Sequence, residues 1–272
     1  MHIPSIKKLK KKIYKNEMED WFSRSYRKIS IYGTWLSLHI PEITPTQITL
    51  MSLVFGVMAG IFYATGDYIF GLYGSFLFFL MWYADCIDGE IARFKKMSSI
   101  EGHHMDALAG HLGEIAILFG IVFGSFIKTE SFWVLGLGFI MLMSMISYDL
   151  IVNLRYATYN YYCYHKNKQQ EILGRLFFNT APKNNKKPGL LTGIFFNLSK
   201  LMFLFQLSFR NIFIIFMSIF NRMEYVVFFY ALIYPPFLIV NIIYQYYGGL
   251  KAFFDRTDKY QKTGKVTTFS DS

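Results

Sequence analysis

Apolar residues run along this chain in blocks too long and too unbroken for half-buried helices. Six such stretches can be read, at about Ile48–Thr65, Tyr68–Ala84, Met105–Ile127, Phe132–Ile151, Leu201–Phe220 and Tyr225–Tyr247. Several carry no polar stripe at helical period, which a helix on the surface of a water-soluble domain would need. A hydrocarbon core about 30 Å thick is crossed by roughly 20 apolar residues in helical form. The stretches also lack the alternation of a membrane barrel, so each must satisfy its own backbone as a helix. The pattern predicts an all-α, polytopic membrane protein with six transmembrane helices. Ahead of them, WFSRSYRKISIYGTWLSLHI interleaves aromatic and cationic residues at helical spacing, which predicts an N-terminal amphipathic interfacial helix.

Breakers divide the rest. Pro41 and Pro45 end the surface helix, and Thr46 is placed to cap the first span. NTAPKNNKKPG reads as a loop within the polar, basic 155–200 connection, and the tail after Gly249 is polar. The expected organisation is a basic arm and amphipathic helix over 1–46, a membrane domain over 47–250 and a tail over 251–272.

Composition agrees: 53% of the 272 residues are hydrophobic and 17% charged, against about 25% charged in soluble domains. The net charge of +10 is unevenly spread. Segments 1–46, 93–96, 154–200 and 248–272 hold 9, 3, 8 and 5 of the 28 Lys and Arg residues. The opposite connections hold only Lys128 and Arg222, while Arg210 lies inside a span. The positive-inside rule then puts both termini and the 85–106 segment in the cytoplasm, and a plasma (inner) membrane location is expected. The basic excess points to anionic membrane lipids, with no nucleic-acid partner. Cys86 and Cys163 indicate no disulfide framework.

The chemistry sits in DCIDGEIARFKKMSSIEGHHMDALAGH, Asp85 to His111. Asp85 and Asp88, three apart, share a helix face and can reach one ion. Gly89 lets a ligand approach the backbone, Ala92 keeps the same stripe clear, and Arg93 offers a planar fork suited to phosphate. Asp106, at the start of the next span, returns a third acid across the loop. Hard oxygen ligands of this kind suit Mg²⁺ or Mn²⁺ bridging to phosphates.

Asp85-x-x-Asp88-Gly89-x-x-Ala92-Arg93, eight residues, then Gly102-x-x-x-Asp106 resembles the signature of the CDP-alcohol phosphotransferases (CDP-alcohol phosphatidyltransferases). Seven of the eight fixed positions of D-x2-D-G-x2-A-R-x(7–9)-G-x3-D-x3-D match. ITPTQIT resembles the family's TPNxIT, with Thr46 for Asn, and the likeness extends over about residues 20–250. The resemblance implies an integral membrane transferase that moves a phospho-alcohol from a CDP-alcohol to an acceptor hydroxyl, releasing CMP. It further implies that Asp85, Asp88 and Asp106 bind a pair of divalent ions, that Gly89, Ala92 and Gly102 border the nucleotide, and that Arg93 lies near its phosphates. A homodimer rests on the same likeness. Gly56 and Gly60, and Gly120 and Gly124, would allow close helix packing within or between subunits.

The last motif aspartate is replaced by Gly110. Relative to Asp106, Gly110 falls at about 40°, His103 at about 60°, Glu114 at about 80° and His111 at about 140° around a regular helix. A π-bulge between Gly110 and Gly113 would turn His111 into the place of the lost acid, as metal ligand and base; otherwise His111 is a polar filler. Glu114 is the second candidate base, or a partner for Arg210 within the membrane. Arg210 and Arg155 could hold an anionic acceptor, although Arg155 reads equally as a positive-inside anchor. His103 and His104 fit surface or nucleotide contacts. Three other classes share parts of the pattern: a pseudoenzyme that binds CDP-alcohol and metal without transfer, a divalent-cation transporter, and an aspartate-rich prenyltransferase. Acids at the membrane boundary disfavour the transporter, and Gly-x-x-Ala-Arg disfavours the prenyltransferase.

Overall fold

The computed structural model describes residues 4–13, 21–165, 207–245 and 254, and every element among them is helical. In chain order these are α1 (Ile6–Ile13), α2 (Trp21–Ser37), α3 (Pro45–Ala64), α4 (Tyr68–Lys95), α5 (Ile100–Thr129), α6 (Phe132–His165), α7 (Leu207–Ile219) and α8 (Met223–Tyr244). Five of them, α3, α4, α5, α6 and α8, are long and apolar enough to cross a membrane. The expected span Leu201–Phe220 is described only from Leu207. The 13 residues of α7 reach about 20 Å, short of a full crossing. The loop NTAPKNNKKPG and all of the tail except Phe254 lie outside the described residues.

Two compact units are present, Met1–Phe139 with Asn211–Phe229, and Ile140–Arg210 with Tyr230–Ser272. In the first, α3 packs along both α4 and α5. Small residues bring the α3 and α5 backbones together. A Cβ on Gly56 would lie 2.8 Å from the Cα of Gly113, and one on Gly60 would strike the Ala116 carbonyl. Gly120 and Gly124 meet the Gly60 and Tyr63 backbones in turn. The glycine pairs seen in the sequence are therefore consumed inside one subunit, where close approach strengthens helix packing without a hydrophobic drive from lipid.

Boundaries differ from expectation at two places. The cap of α3 is Thr44, not Thr46: the Thr44 hydroxyl accepts from the Gln47 N–H at 3.3 Å, and Gln47 Oε1 accepts from the Thr44 N–H at 2.9 Å. Pro45 then takes the first helical position, where its missing N–H is no loss. In addition, α6 continues well past Ile151, so Arg155 lies within the helix rather than at its end.

Helices α1 and α2 lie against the far part of α4. Leu9, Ile13, Ile31 and Leu38 share one buried cluster with Ile48, Ala84, Ile87, Ile91 and Phe94, and the Lys12 ammonium sits 4.2 Å from the Phe94 ring centre. Helix α2 turns Ile29, Tyr32 and Leu36 outward and buries Ser30, Ile31 and Thr34. At the opposite end of α4, Ser218 donates to the Gly71 carbonyl at 2.9 Å and Tyr68 to that of Ile219 at 3.1 Å, tying α7 to α4. Lys128 there donates to the Asn221 carbonyl and pairs with Glu224 at 3.1 Å; Arg222 pairs with the same Glu224 at 3.6 Å.

The second unit joins the later part of α6 to that of α8. Tyr148 packs on Tyr234 and Phe237, with ring centres 6.1 and 5.4 Å away. Arg210 is buried here and hydrogen-bonds the Tyr234 hydroxyl. Pro235 and Pro236 interrupt the hydrogen-bond ladder of α8 just beyond that contact.

Candidate metal and nucleotide site

The acid-bearing segment remains helical well beyond the apolar run. Helix α4 holds its period from its Asp67 cap through Lys95, so Asp85 and Asp88 do share a face. Lys96 ends the helix in the left-handed region at φ 56°, with the Met97 N–H donating to the Ala92 carbonyl. Lys95 Nζ donates to the Pro41 and Ile43 carbonyls at 3.0 and 2.6 Å, fixing this end to the connection before α3. Ser99 then caps α5 by accepting from the Gly102 N–H at 2.9 Å. A Cβ on Gly102 would lie 3.1 Å from that hydroxyl oxygen.

This turn brings Asp106 of α5 back to α4. The Asp85 and Asp106 carboxyl groups hydrogen-bond one another, and Asp88 lies within electrostatic reach of both. Two carboxyl groups make such a contact only with a proton or a cation between their oxygens, since like charges at that range repel. Asp88 is buried, and its Oδ2 accepts the Thr49 hydroxyl of α3 at 2.6 Å. The Arg93 side chain is exposed and folds back along the helix: its guanidinium would lie 3.3 Å from a Cβ on Gly89. Gly89 thus leaves room for the one cation that faces Asp88 from the same helix. His103 lies within electrostatic reach of Asp106. Asp85 and Asp106 in contact, with Asp88 within electrostatic reach, offer oxygen donors of the kind a hard divalent ion takes.

The structure therefore brings together Asp85, Asp88, Asp106, Gly89 and Arg93, with Ala92 one turn along α4 and Gly102 at the start of α5. His111 and Glu114 stand apart. Helix α5 is regular from Ile100 to Thr129, and the π-bulge that would turn His111 toward Asp106 is not formed. Gly113, pressed against Gly56 and Met81, holds the regular register. His111 is exposed, and one of its ring nitrogens lies within 4.8 Å of a Glu114 carboxylate oxygen. A Cβ on Gly110 would meet nothing within 4 Å. Arg155 and Arg210 belong to the second unit, where Arg155 lies within electrostatic reach of Tyr148.

Sequence reasoning missed two polar partners. Thr49 stood inside ITPTQIT without a role, and Glu90 stood inside the motif as an unassigned position. Glu90 is fully buried and accepts from Ser30 at 2.5 Å and Thr34 at 2.6 Å. The available signal was Ser30 and Thr34, four apart on one helix face, and an acid set among apolar residues that must find partners.

No curated protein matches the chain. A family model described as CDP-alcohol phosphatidyltransferase matches residues 42–174, a stretch that contains Thr49, both acid-bearing helices and the turn between them. By that match and by the acid signature that it encloses, residues 42–174 belong to the CDP-alcohol phosphatidyltransferase family.

Proposed function

We propose that this protein transfers a phospho-alcohol group, phosphatidyl or similar, from a CDP-alcohol to an acceptor hydroxyl and releases CMP. The observation that carries the reading is the convergence of Asp85 and Asp106 across the α4–α5 turn, with Asp88 held beside them by Thr49. These three acids would hold Mg²⁺ or Mn²⁺, in keeping with a pair of ions, against the donor diphosphate. Bound there, the metal supplies Lewis-acid polarisation of the phosphoryl group and charge stabilisation for departing CMP. Arg93 is free to swing from Gly89 onto a phosphate, where its fork gives paired hydrogen bonds. Gly89, Ala92 and Gly102 leave a side-chain-poor surface for the nucleotide. His111 and Glu114, neighbours on α5, are the proposed source of a base for the acceptor hydroxyl, and Arg210 and Arg155 the proposed cations for an anionic acceptor. Residues 47–250 form the membrane domain in this reading, as a homodimer with termini and site facing the cytoplasm of the plasma membrane. The outward Ile29, Tyr32 and Leu36 of α2 support its seating in the lipid interface.

A second reading is favoured by one observation: glycine at position 110 can neither ligate nor accept a proton. In that reading the protein binds CDP-alcohol and metal without transfer. Purified protein with Mg²⁺ or Mn²⁺, a panel of CDP-alcohols and a panel of acceptors separates the two. Metal- and acceptor-dependent CMP release establishes the transferase. Binding of CDP-alcohols with no CMP release across the panel establishes the second reading instead.

A further inference from the structure

We infer that Glu90 is a positioning residue for the acid cluster, anchoring α2 to the motif helix so that Asp85 and Asp88 keep their rotation toward Asp106. The inference rests on the transferase reading and concerns how its metal site is held.

Glu90 is two residues from Asp88, and residues two apart on a helix project about 200° from one another. Asp88 points toward α3, where Thr49 donates to it at 2.6 Å. Glu90 points the opposite way, toward α2, where Ser30 donates to Oε1 at 2.5 Å and Thr34 to Oε2 at 2.6 Å. Ser30, Thr34 and Glu90 are all fully buried. Two short hydroxyl donations to one buried carboxyl group fix its orientation on both oxygens. Helix α4 is thereby pinned across its own axis, by α3 on one side and α2 on the other, while Lys95 ties down its end.

The anchor also explains the inverted character of α2, which hides two hydroxyl groups and shows Ile29, Tyr32 and Leu36 to its surroundings. A helix of ordinary polarity would hide the apolar residues. Here the inner face sets Ile31 in the apolar cluster and, beside it, turns Ser30 and Thr34 to Glu90. Loss of the anchor frees α4 to turn, and a turn that lets α2 go carries Asp85 away from Asp106. Glu90 faces away from the cluster and so acts through the aspartates rather than on a ligand.

The test uses the full-length protein in lipid vesicles, with Mn²⁺ alone as the probe and paramagnetic resonance as the readout. Glu90→Ala and the pair Ser30→Ala/Thr34→Val are expected to bind Mn²⁺ about tenfold more weakly than wild type, as losses outside the ligand set typically do. Glu90→Gln is expected to remain close to wild type, because its amide can accept from one hydroxyl and donate to the other. Combining Glu90→Ala with Ser30→Ala/Thr34→Val should weaken binding no further than Glu90→Ala alone, since all remove one anchor. Wild-type Mn²⁺ affinity in both disrupted variants overturns the inference, as does full additivity. If Glu90→Ala does not fold, Ser30→Ala/Thr34→Val decides, because it leaves α4 untouched. A wild type that binds no Mn²⁺ overturns the metal reading beneath the inference, and the inference with it, a result distinct from equal binding by all variants.

Discussion

Thr49 of α3 donates its hydroxyl to Asp88 of α4 at 2.6 Å, and neither side chain reaches solvent. A threonine that otherwise reads as one of several polar residues at a helix start is therefore part of the acid cluster. Thr49→Val keeps the shape and removes the donor. It should weaken apparent Mn²⁺ affinity by about tenfold or more, while Thr49→Ser stays near wild type. Metal titration of CMP release, paired with Mn²⁺ binding, measures both.

The Asp85–Asp106 contact sets stability against function. Asp85→Asn replaces a carboxyl that needs a shared proton or cation to meet Asp106 by an amide that donates to Asp106 directly. Without divalent ions, the variant should melt about 2–4 °C higher, the shift that roughly 1 kcal/mol gives in a chain of this size. Mg²⁺ should no longer raise its melting temperature, and CMP release should fall at least about a hundredfold, as Lewis-acid stabilisation is worth several kcal/mol. Melting curves with and without Mg²⁺ read the first two effects.

Packing of α3 on α5 leaves no room for side chains at its glycines. Gly60→Leu drives atoms into the Ala116 carbonyl and should destabilise by at least about 1–3 kcal/mol. Gly136→Ala in α6 meets nothing within 4 Å and should be neutral or stabilising by up to about 1 kcal/mol. Unfolding in detergent at fixed lipid content compares them.

Gly110 has the same freedom, so an acid can be returned to it. His111→Ala should lower CMP release by about a hundredfold if that ring supplies the base. Gly110→Asp on the His111→Ala background should then recover part of the loss. An unchanged rate in His111→Ala removes His111 from the reaction, and Glu114→Gln becomes the variant to compare.

Much of this architecture was legible because its signals are strong and local. Apolar runs mark α3, α4, α5, α6 and α8, and the three-residue spacing of Asp85 and Asp88 holds on the regular α4, with Asp106 returning to meet Asp85. Element ends were less legible where two residues compete for one role: Thr44 and Thr46 both suit a cap, and only the geometry of Pro45 and Gln47 decides. Glu90 and Thr49 were missed for another reason. Their partners lie 56–60 and 39 residues away in the chain, and no local pattern records which side of α4 meets α2 or α3. The π-bulge at His111 failed because Gly113 serves close packing with Gly56, which a shifted register would undo.

One feature at the opposite end of α4 bears on the surroundings of the whole first unit. Lys128 and Arg222, the two cations set apart from the main basic bias, share Glu224 as counter-ion. One carboxylate against two cations halves their excess charge where it arises. Around the Lys95 end, by contrast, Lys7, Lys8, Lys11, Lys12, Arg93 and Lys96 stand exposed. Among the described residues of the first unit, exposed cations gather at the Lys95 end of α4. That end should gather acidic headgroups into a local annulus, so that the composition of one leaflet, more than that of the bilayer, sets the ionic climate around the aspartates.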